Sequence, residues 1–174
     1  MMKYIVPVVI FCLSTLAQGQ VDNCVELSQQ NTRQIGRGEV KWLDEAVQVE
    51  DSYLLVNGAD VQDFTFSFEG RAPKNADSDE IGIWAVFRQF DRNHKYMVGL
   101  RGKPHSDIYL VRYAPNGFDR MLALETVEPP RPGQWASIKV VASGERIKIY
   151  RDGEQVVSVS DPGASFTAGK IGLG

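Results

Sequence analysis

The sequence has almost none of the residues from which thiol, histidine and metal chemistry are built, with 2 Cys and 2 His among 174 residues. His94 and His105 are far from metal-ligand spacing and both fall in turn-like stretches, so each reads as an ordinary solvated side chain. No Ser–His–Asp pattern and no phosphate-binding loop is present. Positive charge is not in excess either. With 19 basic and 22 acidic residues and a net charge of −3, nucleic acid and anionic membranes find no electrostatic foothold. No apolar run reaches the roughly 20 residues needed to cross a bilayer. No segment keeps the 3.6-residue spacing of an amphipathic helix.

What is present starts with an export signal. Lys3 supplies a positive n-region, Tyr4–Leu16 is a short apolar run, and Ala17-Gln18-Gly19 places small residues where a signal peptidase reads. Residues 1–19 are therefore expected to be removed, the alternative being a buried first strand or helix, and the mature protein to be secreted, periplasmic or at the cell surface. Cys12 would leave with the signal. Cys24 would remain alone, as a small buried apolar residue in preference to a bridge to something outside this sequence. Neither cysteine follows the small residue that a lipid-anchor signal requires, so no lipid anchor is expected.

Beyond a polar lead-in at residues 20–39, with one edge strand expected at Cys24–Ser28, strand-like runs alternate with turns. Val61–Arg71 is the clearest, with Phe64, Phe66 and Phe68 on one parity and Thr65, Ser67 and Glu69 on the other. Such period-two alternation gives one buried and one solvated face. Asn57-Gly58, Asn116-Gly117, Ser143-Gly144 and Asp152-Gly153 mark tight turns, because a type I′ hairpin turn requires positive φ at both central residues. Turns every eight to twelve residues predict an all-β, antiparallel sandwich or barrel in a single domain.

Several segments together resemble the concanavalin A-like lectin/glucanase sandwich, in its laminin-G-like and family-66-like carbohydrate-binding branch. They are Tyr53–Val56, Asp63–Phe66, Gly82–Arg88, Asp91–Val98, Gly133-Gln134-Trp135 and Ile149–Gly153. Domains of this kind run from a Gly-x-Ile-Gly-Leu strand into one more strand, whereas this sequence ends at Gly174. Either the N-terminal segment replaces that strand or the chain is one module of a longer polypeptide. The second is favoured, because an unpaired edge within a sheet is a liability.

The resemblance implies an all-β, antiparallel two-sheet jelly-roll sandwich over residues 40–174 with a saccharide partner, and an appended catalytic domain as a second partner. Glucanase relatives carry their acids as Glu-x-Asp-x-x-Glu or Glu-x-Asp-x-Glu, and no such motif occurs here. A neighbouring group, the 3-keto-glycoside hydrolases, has an Asn-Ser-Gly strand motif. This chain has Glu80-Ile81-Gly82-Ile83 in that place, which counts against the group. No catalytic residue is therefore assigned; an unfamiliar pair such as Asp91 with Glu69 or Glu125 is the enzymatic alternative, and a structural spacer is a third. No cofactor or metal is expected, since the one dense acidic group, Asp77, Asp79 and Glu80, reads as a solvated loop tip rather than a calcium site. If Ile83, Ala85 and Phe87 face the core, Trp84 and Arg88 point outward as a sugar platform. Arg101 and Tyr109 are expected on neighbouring strands, and one parity adds Arg112 to the same face. Trp42 and Trp135 are expected in the core or at its rim.

Overall fold

The computed structural model describes residues 3–7, 10–13, 23–26, 28–43, 46–50, 52–58, 60–72, 74, 82–163 and 166–174. The chain folds as an antiparallel β-sandwich with no helix among those residues. One layer is a seven-stranded sheet in the order β12 (Gly117–Thr126), β11 (Asp107–Ala114), β10 (Lys95–Arg101), β9 (Gly82–Gln89), β16 (Lys170–Leu173), β7 (Ser52–Val56) and β4 (Thr32–Gly36). Facing it is a four-stranded sheet of β15 (Glu154–Ser160), β14 (Arg146–Arg151), β13 (Ala136–Ser143) and β8 (Phe64–Gly70). Two smaller groups complete the strands. β1 (Lys3–Pro7), β6 (Ala46–Glu50) and β5 (Val40–Trp42) form one, and β2 (Ile10–Leu13) with β3 (Asn23–Glu26) forms the other.

The core forms where the inward parities of the two layers meet. Phe64, Phe66 and Phe68 of β8 are buried, as their alternation predicts, and pack against Ile138 and Val140 of β13 and Ile83, Ala85 and Phe87 of β9. Phe87 in turn stacks on Tyr96, with centroids 5.3 Å apart. Burying a ring of this size contributes about 2–3 kcal/mol, so this aromatic stripe holds the layers together. The hairpin turn read at Asp152-Gly153 has positive φ at both residues, 49° and 89°.

The lead-in is more structured than its sequence suggests. Its strand at Asn23–Glu26 pairs with β2, with Cys12 opposite Cys24 in the backbone register. β4 is an edge strand of the seven-stranded sheet, paired with β7. It escaped the reading because an edge strand needs little apolar content, and Ile35 is the one large apolar residue in Thr-Arg-Gln-Ile-Gly. β1, within the expected signal segment, pairs with β6 and also approaches β8.

Candidate functional site

The seven-stranded sheet turns one face to the main core. Its other, outer face carries a small cluster of its own, in which Tyr53, Leu55 and Val86 are buried and Ile35, Trp84 and Met97 are partly buried, and alternation decides which residues lie there. On β9 this face receives Trp84 and Val86. Cross-strand register then sets Gly99 of β10 directly between Trp84 and Tyr109 of β11. A side chain at Gly99 would collide with the Tyr109 ring, so that ring lies over bare backbone. Gly174 plays the same part under the Trp84 ring, and the two residues exchange backbone hydrogen bonds of 2.9 and 3.0 Å. Tyr53 of β7 meets Trp84 edge to face at 5.4 Å. Its hydroxyl accepts a 2.9 Å hydrogen bond from Gln89 Nε2.

Cations border these rings. Lys95 Nζ lies 5.3 Å from the centroids of both Tyr53 and Tyr113. The Arg101 guanidinium sits 4.9 Å from the Tyr109 centroid and donates two 2.7 Å hydrogen bonds to Asp107. That bidentate pair raises the pKa of Arg101 and keeps it charged. Burial, with Tyr113 adding and Arg101 opposing, pushes the Tyr109 hydroxyl up to about 12, so it remains a hydrogen-bond donor at neutral pH. Along the edge strand β12, Phe118, Met121 and Leu124 are exposed and stand opposite Tyr113, Val111 and Tyr109. Aromatic bodies, hydroxyl and guanidinium donors and an exposed apolar margin on one surface are what a sugar ring requires: apolar C–H faces to stack and hydroxyls to bond.

Of the five residues expected on this face, Trp84, Arg101 and Tyr109 are there and Arg88 and Arg112 are not. Arg88 is fully buried. Its φ is 48°, and beside it β16 and β9 slip register, so Phe87 and Arg88 together face a single residue of β16. The bulge turns the guanidinium inward to donate to Gln62 O at 3.1 and 3.4 Å and to Gly144 O at 2.7 Å. No residue pattern announces such a bulge. Arg112 pairs in register with the buried Tyr96 and so has the inner parity. It bonds both oxygens of the buried Asp161 at 2.9 and 2.8 Å, and Tyr96 donates to the same carboxylate at 2.8 Å. Here a signal existed: apolar Ile108 and Leu110 already assign their parity, and with it Arg112, to the core. The reading missed Tyr53, Lys95 and Tyr113. It also missed Gly99, whose mid-strand position is a recognised mark of close approach.

The structure does not bring Asp91 together with Glu69 or Glu125, the acids named for the enzymatic alternative. Asp91 accepts hydrogen bonds from Asn93 N, His94 N and the His94 ring in the β9–β10 turn. Glu69 lies on the other layer, and Glu125 lies at the far end of the seven-stranded sheet, opposite Ile108. His94 is not freely solvated, since it also packs edge to face on Phe90 and Phe166. Trp42 packs against the core, while Trp135 is 41% exposed at the rim. A cleft of about 250 Å³ opens there, away from the outer face, lined by Glu128, Arg131, Trp135, Arg151 and Asp152. Its groups are matched among themselves: Arg71 covers the Trp135 ring, Arg131 pairs with Glu128 and Arg151 with Asp152. On the outer face, by contrast, Lys95 makes no ion pair among the described residues and stands beside several aromatic rings, which makes that face the better candidate. Among the described residues no cluster of His, Cys, Asp or Glu could hold a metal ion. Asp77, Asp79 and Glu80 lie outside those residues.

Comparison with known proteins agrees with this architecture. The sequence model of the family described as 3-keto-alpha-glucoside-1,2-lyase-like domain matches residues 20–174. The match overturns the weight placed on Glu80-Ile81-Gly82-Ile83: lacking an Asn-Ser-Gly strand does not exclude this chain from the 3-keto group. A carbohydrate-binding module, CBM66 from Bacillus subtilis, superposes with a TM-score of 0.69 at 21% identity, covering 82% of this chain and 86% of that one. A glycosidic hydrolase superposes at 0.54 and 12% identity over 99% and 81%. A galectin-like protein of unknown function from Bacillus subtilis does so at 0.52 and 15% over 83% and 82%. No curated protein matches the sequence. At these identities the likeness is one of fold.

Proposed function

The chain belongs to the 3-keto-alpha-glucoside-1,2-lyase-like domain family, and we propose that it binds a poly- or oligosaccharide on the outer face of the seven-stranded sheet. The supporting observation is the row in which Trp84, Gly99 and Tyr109 stand side by side, the glycine leaving backbone for a ring to lie on. In this reading a sugar stacks on Trp84 beside Tyr53. The Tyr109 hydroxyl and Arg101 bond its hydroxyl groups. The domain acts outside the cytoplasm as a non-catalytic module that keeps a glycoside-active partner at its polymer, raising local concentration without doing chemistry itself.

Affinity electrophoresis against a panel of polysaccharides tests this. Trp84→Ala is expected to lower affinity about tenfold or more, equivalent to roughly 1.4 kcal/mol. Full affinity in a folded Trp84→Ala/Tyr109→Ala protein would reject the face.

The family description favours a second reading, in which the domain eliminates the C1 substituent of a 3-keto-α-glucoside. The 3-keto group acidifies the C2 proton; a base removes it, the C1–O bond breaks and the leaving oxygen takes up a proton. Incubation with a 3-keto-α-glucoside, followed by ultraviolet absorption of the enone product, separates the two. Turnover by the isolated chain would replace the binding reading with the lyase one.

A further inference from the structure

At one end of the outer face three cations have no ion-pair partner among the described residues. Lys95 is half-buried between the rings of Tyr53 and Tyr113. Arg92, in the β9–β10 turn, and Arg33, on β4, are both close enough to act electrostatically on the Tyr53 hydroxyl. Arg33 pairs in register with Leu55, whose side chain belongs to the outer face. Among the described residues none of the three makes an ion pair. The acid nearest in sequence to Arg92 and Lys95, Asp91, is engaged by His94 and the turn N–H groups, and the one nearest to Arg33, Glu39, pairs with Lys41. Asp107, the carboxylate that the described part of this face carries, is clamped by Arg101 at the opposite end of β10.

This arrangement runs against the chain as a whole, whose net charge is −3. It also stands at a cost: removing Lys95 from water pushes its ammonium below the usual lysine range, and Arg92 repels it further. Ring faces on either side compensate part of that loss through their quadrupoles. A full compensation needs an anion, and Lys95 stands on the same surface as the Trp84 ring.

We propose that the ligand of this face is an anionic glycan, whose carboxylate or sulfate group is bound by Lys95, Arg92 and Arg33 while a sugar ring stacks on Trp84. The proposal rests on the saccharide-binding reading of the same surface and adds the class of sugar. Electrostatic attraction of this kind also steers the polymer and weakens with salt.

The test compares polygalacturonate, dextran sulfate and neutral dextran by affinity electrophoresis and calorimetry, at low salt and in about 0.5 M NaCl. Wild type is expected to bind at least one charged polymer about tenfold more tightly than dextran, a preference of roughly 1.4 kcal/mol. The two charged polymers show whether carboxylate or sulfate is the group recognised. Lys95→Met and the exposed pair Arg33→Ala/Arg92→Ala should each remove most of the preference, and Lys95→Arg should keep it. Thermal melts of the same variants establish that they fold. Equal affinity for dextran, with binding that depends on Trp84, would overturn the anionic ligand and leave the saccharide reading intact. Absence of binding to every polymer would overturn both. Charged-polymer binding that survives Trp84→Ala unchanged would mean diffuse charge attraction and overturn the proposal.

Discussion

Replacing Arg88 separates the two roles that its position in the chain suggests. A sugar-contacting arginine could be truncated with loss of affinity and little loss of stability. The buried Arg88 should behave in the opposite way. Its guanidinium donates to Gln62 O and Gly144 O and lies 4.0 Å from Asp63, which itself accepts from Gly144 N at 2.8 Å. Arg88→Ala therefore strips two loop carbonyls of a charged donor, removes the cation beside Asp63 and opens a void. Hydrogen bonds to a charged group contribute about 1.5–3 kcal/mol each, and recovering the guanidinium's desolvation returns part of that. A net cost of about 3 kcal/mol follows, which for a chain of this size lowers Tm by roughly 6–12 °C. Arg88→Met fills most of the void while leaving the carbonyls unpaired, so it should fall between Ala and wild type. Urea and thermal unfolding measure the loss, and affinity electrophoresis of the folded fraction should show saccharide binding unchanged. A variant that melts like wild type but no longer binds saccharide would refute the inward placement and restore the role read from the sequence.

Gly99→Ala should press on the Tyr109 ring and swing it off its seat; the expected result is a folded protein with saccharide affinity reduced about tenfold, and unchanged affinity would remove Tyr109 from the site. Asp91 tests linkage. The His94 ring, then the backbone N–H groups of His94 and Asn93, hold its carboxyl below the ordinary range. A depressed folded pKa means a contribution fully present above the unfolded value of about 3.9 and lost as pH falls through the folded value. Asp91→Asn should therefore flatten the acid limb of the urea midpoint plotted below about pH 4; parallel limbs would show that the turn gains nothing from that carboxylate.

The parts of the fold that were legible are those in which a residue's local pattern and its tertiary environment agree. Phe64, Phe66 and Phe68 alternate because one face of β8 meets the core, and Ile83, Ala85 and Phe87 do the same on β9. β4 was illegible because a solvated edge strand imposes almost no pattern on its residues. In the site, Trp84 followed from parity alone. Lys95 and Tyr53 did not, since they come from strands 42 residues apart in the chain and meet only because β16 enters between β7 and β9.

By itself the sequence determined the class of fold, the hairpin turns and the parity of most strands, because alternation and positive-φ turns are properties of a few neighbouring residues. Tertiary structure alone decided which cations face outward. The bulge at Arg88 and the inter-layer carboxylate Asp161 draw Arg88 and Arg112 inward, while β16 aligns Tyr53 with Trp84 and leaves Lys95 beside them. A bulge depends on how two distant strands fit, and a partner such as Asp161 on where the chain returns; neither leaves a local trace in the order of residues.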